Sequence, residues 1–95
     1  MQVQVQSIHF DADSKLIGFI EDKVKKLGQF HDRIIRGEVF LRIDKSDVRE
    51  NKIAEVKIAV PGRELFAKKQ CRTFEEAADT AMEALRRQIE KHRDK

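Results

Sequence analysis

The sequence predicts an α+β fold of element order β-α-β-β-β-α, a four-stranded sheet with two helices packed on one face. Three observations lead there. Apolar residues recur at every second position in four stretches, the period of a half-buried strand. In two longer stretches they recur at steps of three and four, the period of an amphipathic helix. A Pro-Gly pair and isolated glycines punctuate these segments. The chain has 95 residues, enough for one core and too few for two, so residues 1–95 are read as a single domain.

The first strand is predicted over 2–8 (QVQVQSI), with Val3 and Val5 on one face. A helix follows over 14–28, its apolar stripe formed by Leu16, Ile17, Ile20, Val24 and Leu27. Asp11 and Asp13 are candidate caps, and Gly28 marks the expected end. Period two returns over 34–44. Ile35, Val39, Leu41 and Ile43 share one face, and Arg36, Glu38, Phe40 and Arg42 the other. The polar stretch 45–51 reads as a loop. Residues 52–60 form the next strand, with Ala54, Val56, Ile58 and Val60 inward. Pro61-Gly62 is a tight-turn signal, and a strand over 63–72 follows with Leu65 and Ala67 inward. Thr73-Phe74-Glu75-Glu76 has the form of a capping box. It opens a helix to about residue 92 with the stripe Ala78, Ala81, Met82, Leu85 and Ile89. The first strand, helix and second strand form a candidate right-handed crossover, with the other sheet face at least partly solvated.

Composition narrows the function classes. Charged residues make up 39 % of the chain, well above the usual quarter, while the net charge is only +3. The distribution of charge therefore matters more than its sum. The single cysteine excludes an internal disulfide and favours a reducing compartment. No apolar run approaches the roughly 20 residues of a membrane span, and the alternating Gln/Val start lacks the regions of a signal peptide. A cytoplasmic protein is the default expectation. An enzyme with separate cofactor and substrate domains is excluded by length.

The last helix is electrically divided. Residues 73–84 hold Glu75, Glu76, Asp79 and Glu83 with no Lys or Arg. Residues 85–95 hold Arg86, Arg87, Lys91, Arg93 and Lys95 against Glu90 and Asp94. The helix dipole favours that polarity, but it does not account for five bases in eleven residues. Arg87, Lys91 and Lys95 are read as one ridge beside the Leu85/Ile89 stripe, and Arg86 with Arg93 as a second ridge on the opposite flank. The first helix has Lys23, Lys25 and Lys26 near its end and Arg33 just after it, again partly a dipole pattern. If both helices share one sheet face, their basic ends combine into a single patch. On charge alone, a plain solvated face and a polyanion partner both remain open. Nucleic acid stands ahead of an acidic protein or a membrane surface; the acidic half of the last helix speaks against a membrane anchor.

Other chemistry finds little support. His9, His31 and His92 are scattered and Cys71 stands alone, without the spacing of a zinc site. Cys71 reads as a small packed residue rather than a nucleophile. Ser7, Ser14 and Ser46 lack a nucleophile-elbow context, and the glycines form no phosphate loop. No metal, no cofactor, no small-molecule substrate and no catalytic residue is expected. Phe40 and Phe66 fall on the outer sheet face with Arg42, Lys57 and Lys68. That arrangement suits either stacking on unpaired bases or a small apolar patch, the second being favoured.

Two stretches are more specific than periodicity. One is Lys23-x-x-Lys26-Leu27-x-Gln29-Phe30-x-Asp32-Arg33-Ile34. The other is Asp79 followed by Leu85-x-Arg87-Gln88-Ile89-x-Lys91-His92-Arg93-Asp94-Lys95. With the element order and length, they make the whole chain resemble the short ribosome hibernation promoting factors, the family that includes the ribosome-associated translation inhibitor A proteins. The resemblance implies a fold related to the double-stranded RNA-binding domain with an added first strand. It implies binding to the small ribosomal subunit and its rRNA, between head and body, on ground used by mRNA and by the A- and P-site tRNAs. The implied mechanism is a plug that blocks translation in stationary phase or starvation, without catalysis or cofactor. In that family basic residues of both helices face rRNA, and the matching positions here are Lys23, Lys26, Arg87, Lys91, Arg93 and Lys95. Arg86 lies where the pattern is less fixed. Arg33 is either an RNA contact or a local ion pair, and Ala84 stands where relatives often carry Lys. Two other readings compete: a general RNA-binding or RNA-chaperone module, and a protein-interaction domain with an acidic partner. The sequence leaves open any role in ribosome pairing, and a monomer is the default for the free protein.

Overall fold

A computed structural model describes residues 1–46 and 48–93, with side chains as far as Lys91. The elements are β1 (Gln2–Ser7), α1 (Ser14–Phe30), β2 (Arg36–Ile43), β3 (Lys52–Val60), β4 (Arg63–Cys71) and α2 (Phe74–Arg93). They form one sheet of order β1-β2-β3-β4. β1 pairs parallel with β2, and the other two pairings are antiparallel.

Alternation sorts the strands into two faces. Val3, Gly37, Ile58 and Leu65 lie across from one another in the ladder, as do Val5, Val39, Val56 and Ala67. These rows face the helices. Ile20, Val24 and Leu27 from α1 and Phe74, Ala77, Ala78, Ala81, Met82 and Leu85 from α2 join them in one buried cluster. Both helices therefore cover the same face, as the sequence predicts. The small residues Ala77, Ala78 and Ala81 let α2 sit close to β3 and β4.

The caps follow from residue chemistry. Asp13 accepts a hydrogen bond from the Lys15 N–H at 3.1 Å and so starts α1, deciding between the two candidate aspartates. Thr73 Oγ1 accepts from the Glu76 N–H at 3.1 Å, the Thr half of the capping box. Rings of Phe10 and Phe74 stack with centroids 5.1 Å apart, fastening the β1–α1 connection to the start of α2. Gly62 takes φ +82° in the β3–β4 turn, a conformation that only glycine adopts without strain.

Three expectations change. α1 does not end at Gly28 but continues to Phe30. The Met1 side chain lies over Gly28: a Cβ there would lie 2.7 Å from Met1 Cε, the flexible tip of a half-exposed side chain that can swing aside. The stripe assigned to Ile35 and Ile43 is exposed at both ends, 53 % and 40 % respectively. Ile35 precedes the β2 ladder and Ile34 takes the buried place, while Ile43 lies beyond Leu41, the last core residue of its strand. The final strand stops at Cys71 rather than 72. Cys71 packs against the core, and burial, with the Glu76 carboxylate beside it, pushes its thiol above the ordinary value, so it stays protonated at neutral pH. Asp44 anchors the start of the β2–β3 loop. Its carboxylate accepts from the Ser46 N–H and from Gln70 Nε2, each at 2.9 Å, which lowers its pKa.

The tightest point of the fold is Gly37 on β2. A Cβ there would lie 2.6 Å from Val24 Cγ1 and 3.2 Å from Ile58 Cδ1, so α1 meets the sheet where a side chain is missing. Gly37→Ala is expected to lower stability by about 1–3 kcal/mol through overpacking. Urea unfolding checks this: the midpoint falls while the slope is kept, and an unchanged midpoint contradicts the close contact.

Candidate nucleic-acid interface

Topology sets the direction of both helices. β1, β2 and β4 run the same way, and each helix returns against the strand before it. α1 and α2 are therefore parallel, with both C-terminal ends at the end of the sheet that holds Met1, the start of β2 and the Pro61–Gly62 turn. Two contacts fix the arrangement: Met1 against Gly28, and Gln88 Nε2 donating to the Phe66 carbonyl at 3.1 Å. The basic segments of the two helices thus meet at one end of the molecule, and Arg33 and Arg63 join them there from the adjoining loop and strand.

The helices are tied together by Lys23 Nζ and Asp79 Oδ1 at 2.9 Å. The same ammonium lies 5.3 Å from the Phe19 ring centroid, a cation–π distance. Lys23 is thus engaged within the fold. Arg86 is engaged too, its Nη2 lying 3.1 Å from Glu83 Oε1. Lys26, Arg33, Arg87 and Lys91 are exposed and have no ion pair among the described residues. Lys25 belongs with them. The side chain of Arg93, and Lys95 as a whole, lie outside the described residues.

Two features of the charge map differ from expectation. First, α1 has no basic residue in its last turn. The dipole acts mainly over the last turn, so once the helix reaches Phe30 it no longer explains Lys25 and Lys26. Second, Arg87 and Lys91 do not border the Leu85/Ile89 stripe. Successive residues turn about 100° around a helix, which puts Arg87 well away from the fully buried Leu85 and on the solvent side. Arg86, seven residues after Asp79, instead lies on the flank that faces α1. The cations therefore occupy two strips, one along the groove between the helices and one on the outer side of α2.

The acids at the helix starts are held elsewhere. Glu75 and Glu76 occupy the first turn of α2, where the dipole favours them, at the opposite end from the cations. On the outer sheet face Arg36 pairs with Glu38 at 3.5 Å and Glu64 at 3.7 Å, and Arg42 with Glu55 at 3.6 Å. Sequence reasoning placed Lys25 in the basic cluster of the first helix but not among the RNA-facing residues, and it missed Arg63 as a member of the basic end. Lys25 is visible in the Lys23-to-Lys26 cluster, whereas Arg63 joins only through the topology, because the Pro61–Gly62 turn falls beside the helix C-termini. Among the described residues no group of three or more His, Cys, Asp and Glu side chains is placed to hold a metal ion, and no helix is long and apolar enough to cross a membrane.

The family model described as sigma 54 modulation protein / S30EA ribosomal protein matches residues 3–95. The chain belongs to that family. Curated relatives carry the name ribosome hibernation promoting factor. The protein from Klebsiella oxytoca is 30 % identical over 95 residues, covering all of this chain and 96 % of its own length. That from Azotobacter vinelandii is also 30 % identical over 95 residues, covering 85 % of its own length. Among solved structures, a ribosomal subunit interface protein from Coxiella burnetii superposes with TM-score 0.87 at 22 % identity, covering 100 % of both chains. The N-terminal domain of Thermus thermophilus Protein Y gives TM-score 0.73 at 16 % identity, over 96 % of this chain and 94 % of that one. Family membership agrees with the resemblance carried by the two basic motifs, and the structural likenesses show the same fold.

Lys23 and Asp79 are 37 % and 50 % exposed, so water screens their attraction. A double-mutant cycle with Lys23→Ala and Asp79→Ala is expected to give a coupling of about 0.2–1 kcal/mol, read from urea midpoints. A coupling near zero means the two side chains do not pair.

Proposed function

We propose that this chain is a ribosome hibernation factor. It binds the small ribosomal subunit through the basic ends of its two helices, in the channel used by mRNA and the A- and P-site tRNAs, and blocks translation in stationary phase or starvation. The observation that carries the proposal is the convergence of exposed, unpaired Lys26, Arg33, Arg87 and Lys91 at one end of two parallel helices. Family membership and the curated relatives' name supply the ribosome as the polyanion. Arg93 and Lys95 extend the set by their positions in the sequence. Lys23 and Arg86, each already paired, contribute less per residue.

The mechanism is occupancy. Cations facing phosphates release counterions, and each contact steepens the fall of affinity with salt by about 0.7–0.9 in log–log slope. Such contacts read the backbone and shape of folded rRNA rather than its sequence. No bond is made or broken, so no catalytic residue and no cofactor take part. The protein acts in the cytoplasm, where ribosomes are.

Co-sedimentation with small subunits and whole ribosomes on sucrose gradients tests this. The wild-type protein is expected to travel with both at low salt and to be stripped as salt rises. Arg87→Glu combined with Lys91→Glu keeps the fold, because both side chains are exposed, and weakens binding by about a hundredfold or more. Lys23→Ala is expected to cost less than Lys26→Ala. Normal co-sedimentation of the double reversal overturns the assignment of these residues, and wild-type protein that stays at the top of the gradient at low salt overturns the function.

A further inference from the structure

The outer sheet face has no part in the helix-end interface, yet it has an organised chemistry of its own. Its three acids, Glu38, Glu55 and Glu64, are each taken by Arg36 or Arg42. Of its charged and aromatic side chains, two lysines and two rings remain. Lys57 lies directly across the ladder from Phe66 on β4 and holds its ammonium 5.8 Å from the ring centroid of Phe40 on β2. Lys68 follows Phe66 by two residues on the same face. Phe66 is 48 % exposed, and neither Lys57 nor Lys68 has an ion pair among the described residues.

We propose that this face binds a short single-stranded RNA segment, stacking an unpaired base on Phe66, with Lys57 and Lys68 taking the flanking phosphates. Three features favour RNA over a protein partner. The face's three acids are each paired with Arg36 or Arg42, and Lys57 and Lys68 leave the face with four bases against three acids, so the charge it offers a visitor is positive by one. A sheet ring is a sequence-tolerant platform, since every base has a π-face. Phe40 and Phe66 are two strands and one row apart, roughly 12 Å from strand and residue spacings. That is too far for one base to touch both, and it suits an extended strand laid across the sheet. Duplex RNA keeps its bases stacked inside and offers the rings nothing. The site is on the face opposite the helices, so a bound ribosome-associated factor of this design holds structured RNA on one side and a single strand on the other. The inference stands apart from the helix-end reading, since either face can bind without the other.

The test is titration of the whole protein with a fluorescein-labelled hexauridylate, read by anisotropy, with amide chemical shifts locating the site. Phe66→Ala is expected to weaken hexamer binding about tenfold, Phe66→Tyr to retain it, and Lys68→Gln to reduce the salt slope by about 0.7. Phe66 is exposed, so circular dichroism and the thermal midpoint should match wild type. Arg87→Glu with Lys91→Glu is expected to leave hexamer binding and the sheet shifts in place, which separates this site from the ribosome-binding face. Unchanged affinity of Phe66→Ala, shifts confined to the helix ends, or equal competition by a blunt duplex of the same length overturns the proposal. Absence of hexamer binding together with Phe66-dependent capture of a nuclease-resistant protein overturns it in favour of a protein interface.

Discussion

Parallel pairing of β1 with β2 is the constraint on which the rest of this structure depends. A parallel pair needs a crossover, and α1 supplies it by running back against both strands across one face of the sheet. The two antiparallel hairpin-type pairings then leave β4 pointing like β1, so α2 must return in the same direction as α1. Two parallel helices side by side place both positive dipole ends together and both negative dipole ends together. That arrangement is mildly unfavourable in itself, and the sequence answers it at each end. Glu75 and Glu76 lie in the first turn of α2, and Lys91 in its last. Between them Lys23 and Asp79 join the helices at 2.9 Å.

The same constraint accounts for how tightly α1 is seated. Parallel β1 is short and lies at the edge, so α1 must be held by the neighbouring strand as well. Gly37 makes that possible by letting Val24 reach the sheet. Gly28, at the same end, only gives room to the flexible tip of the half-exposed Met1 side chain. Gly37 is the packing device, and it fixes how closely α1 sits on the sheet. An interface built from cations on two separate helices keeps its geometry only if the helices do not slide. Exposed ion pairs are weak, so the register is set mainly by the core contacts of Val24, Leu27 and Leu85, with Lys23–Asp79 as an adjunct.

Legibility in the sequence tracks the range of the interaction. β3 could be read residue by residue, because Ala54, Val56, Ile58 and Val60 alternate without interruption and all four are buried. The caps Asp13 and Thr73 were legible because a cap acts on backbone groups two or three residues away. Gly28 was misread because a glycine that ends a helix and one that admits a distant side chain are alike in sequence. Only the position of Met1 tells them apart. Ile35 and Ile43 were overassigned to the core because alternation has no signal for where helix cover stops. The candidate site divides in the same way. The clustering of basic residues was local and visible, and helix rotation alone puts Arg87 opposite Leu85, whereas the engagement of Lys23 by Asp79 and the arrival of Arg63 at the same end required the topology.

The two faces of the domain manage charge by opposite means. At the helix ends Lys26, Arg33, Arg87 and Lys91 have no ion pair among the described residues, an arrangement that self-repulsion disfavours unless an anion is nearby. Asp32 and Glu90 stand among them in the sequence without an ion pair among the described residues, whereas on the outer sheet face Arg36 and Arg42 are paired with three carboxylates. The contrast within one small chain separates cations held by acids from cations left available more sharply than net charge can. It also explains why a total of only +3 is compatible with a polyanion partner: Glu38, Glu55 and Glu64 are paired on the sheet face and Glu75 and Glu76 sit at the far end of α2, so fewer acids remain to offset the cations at the helix ends.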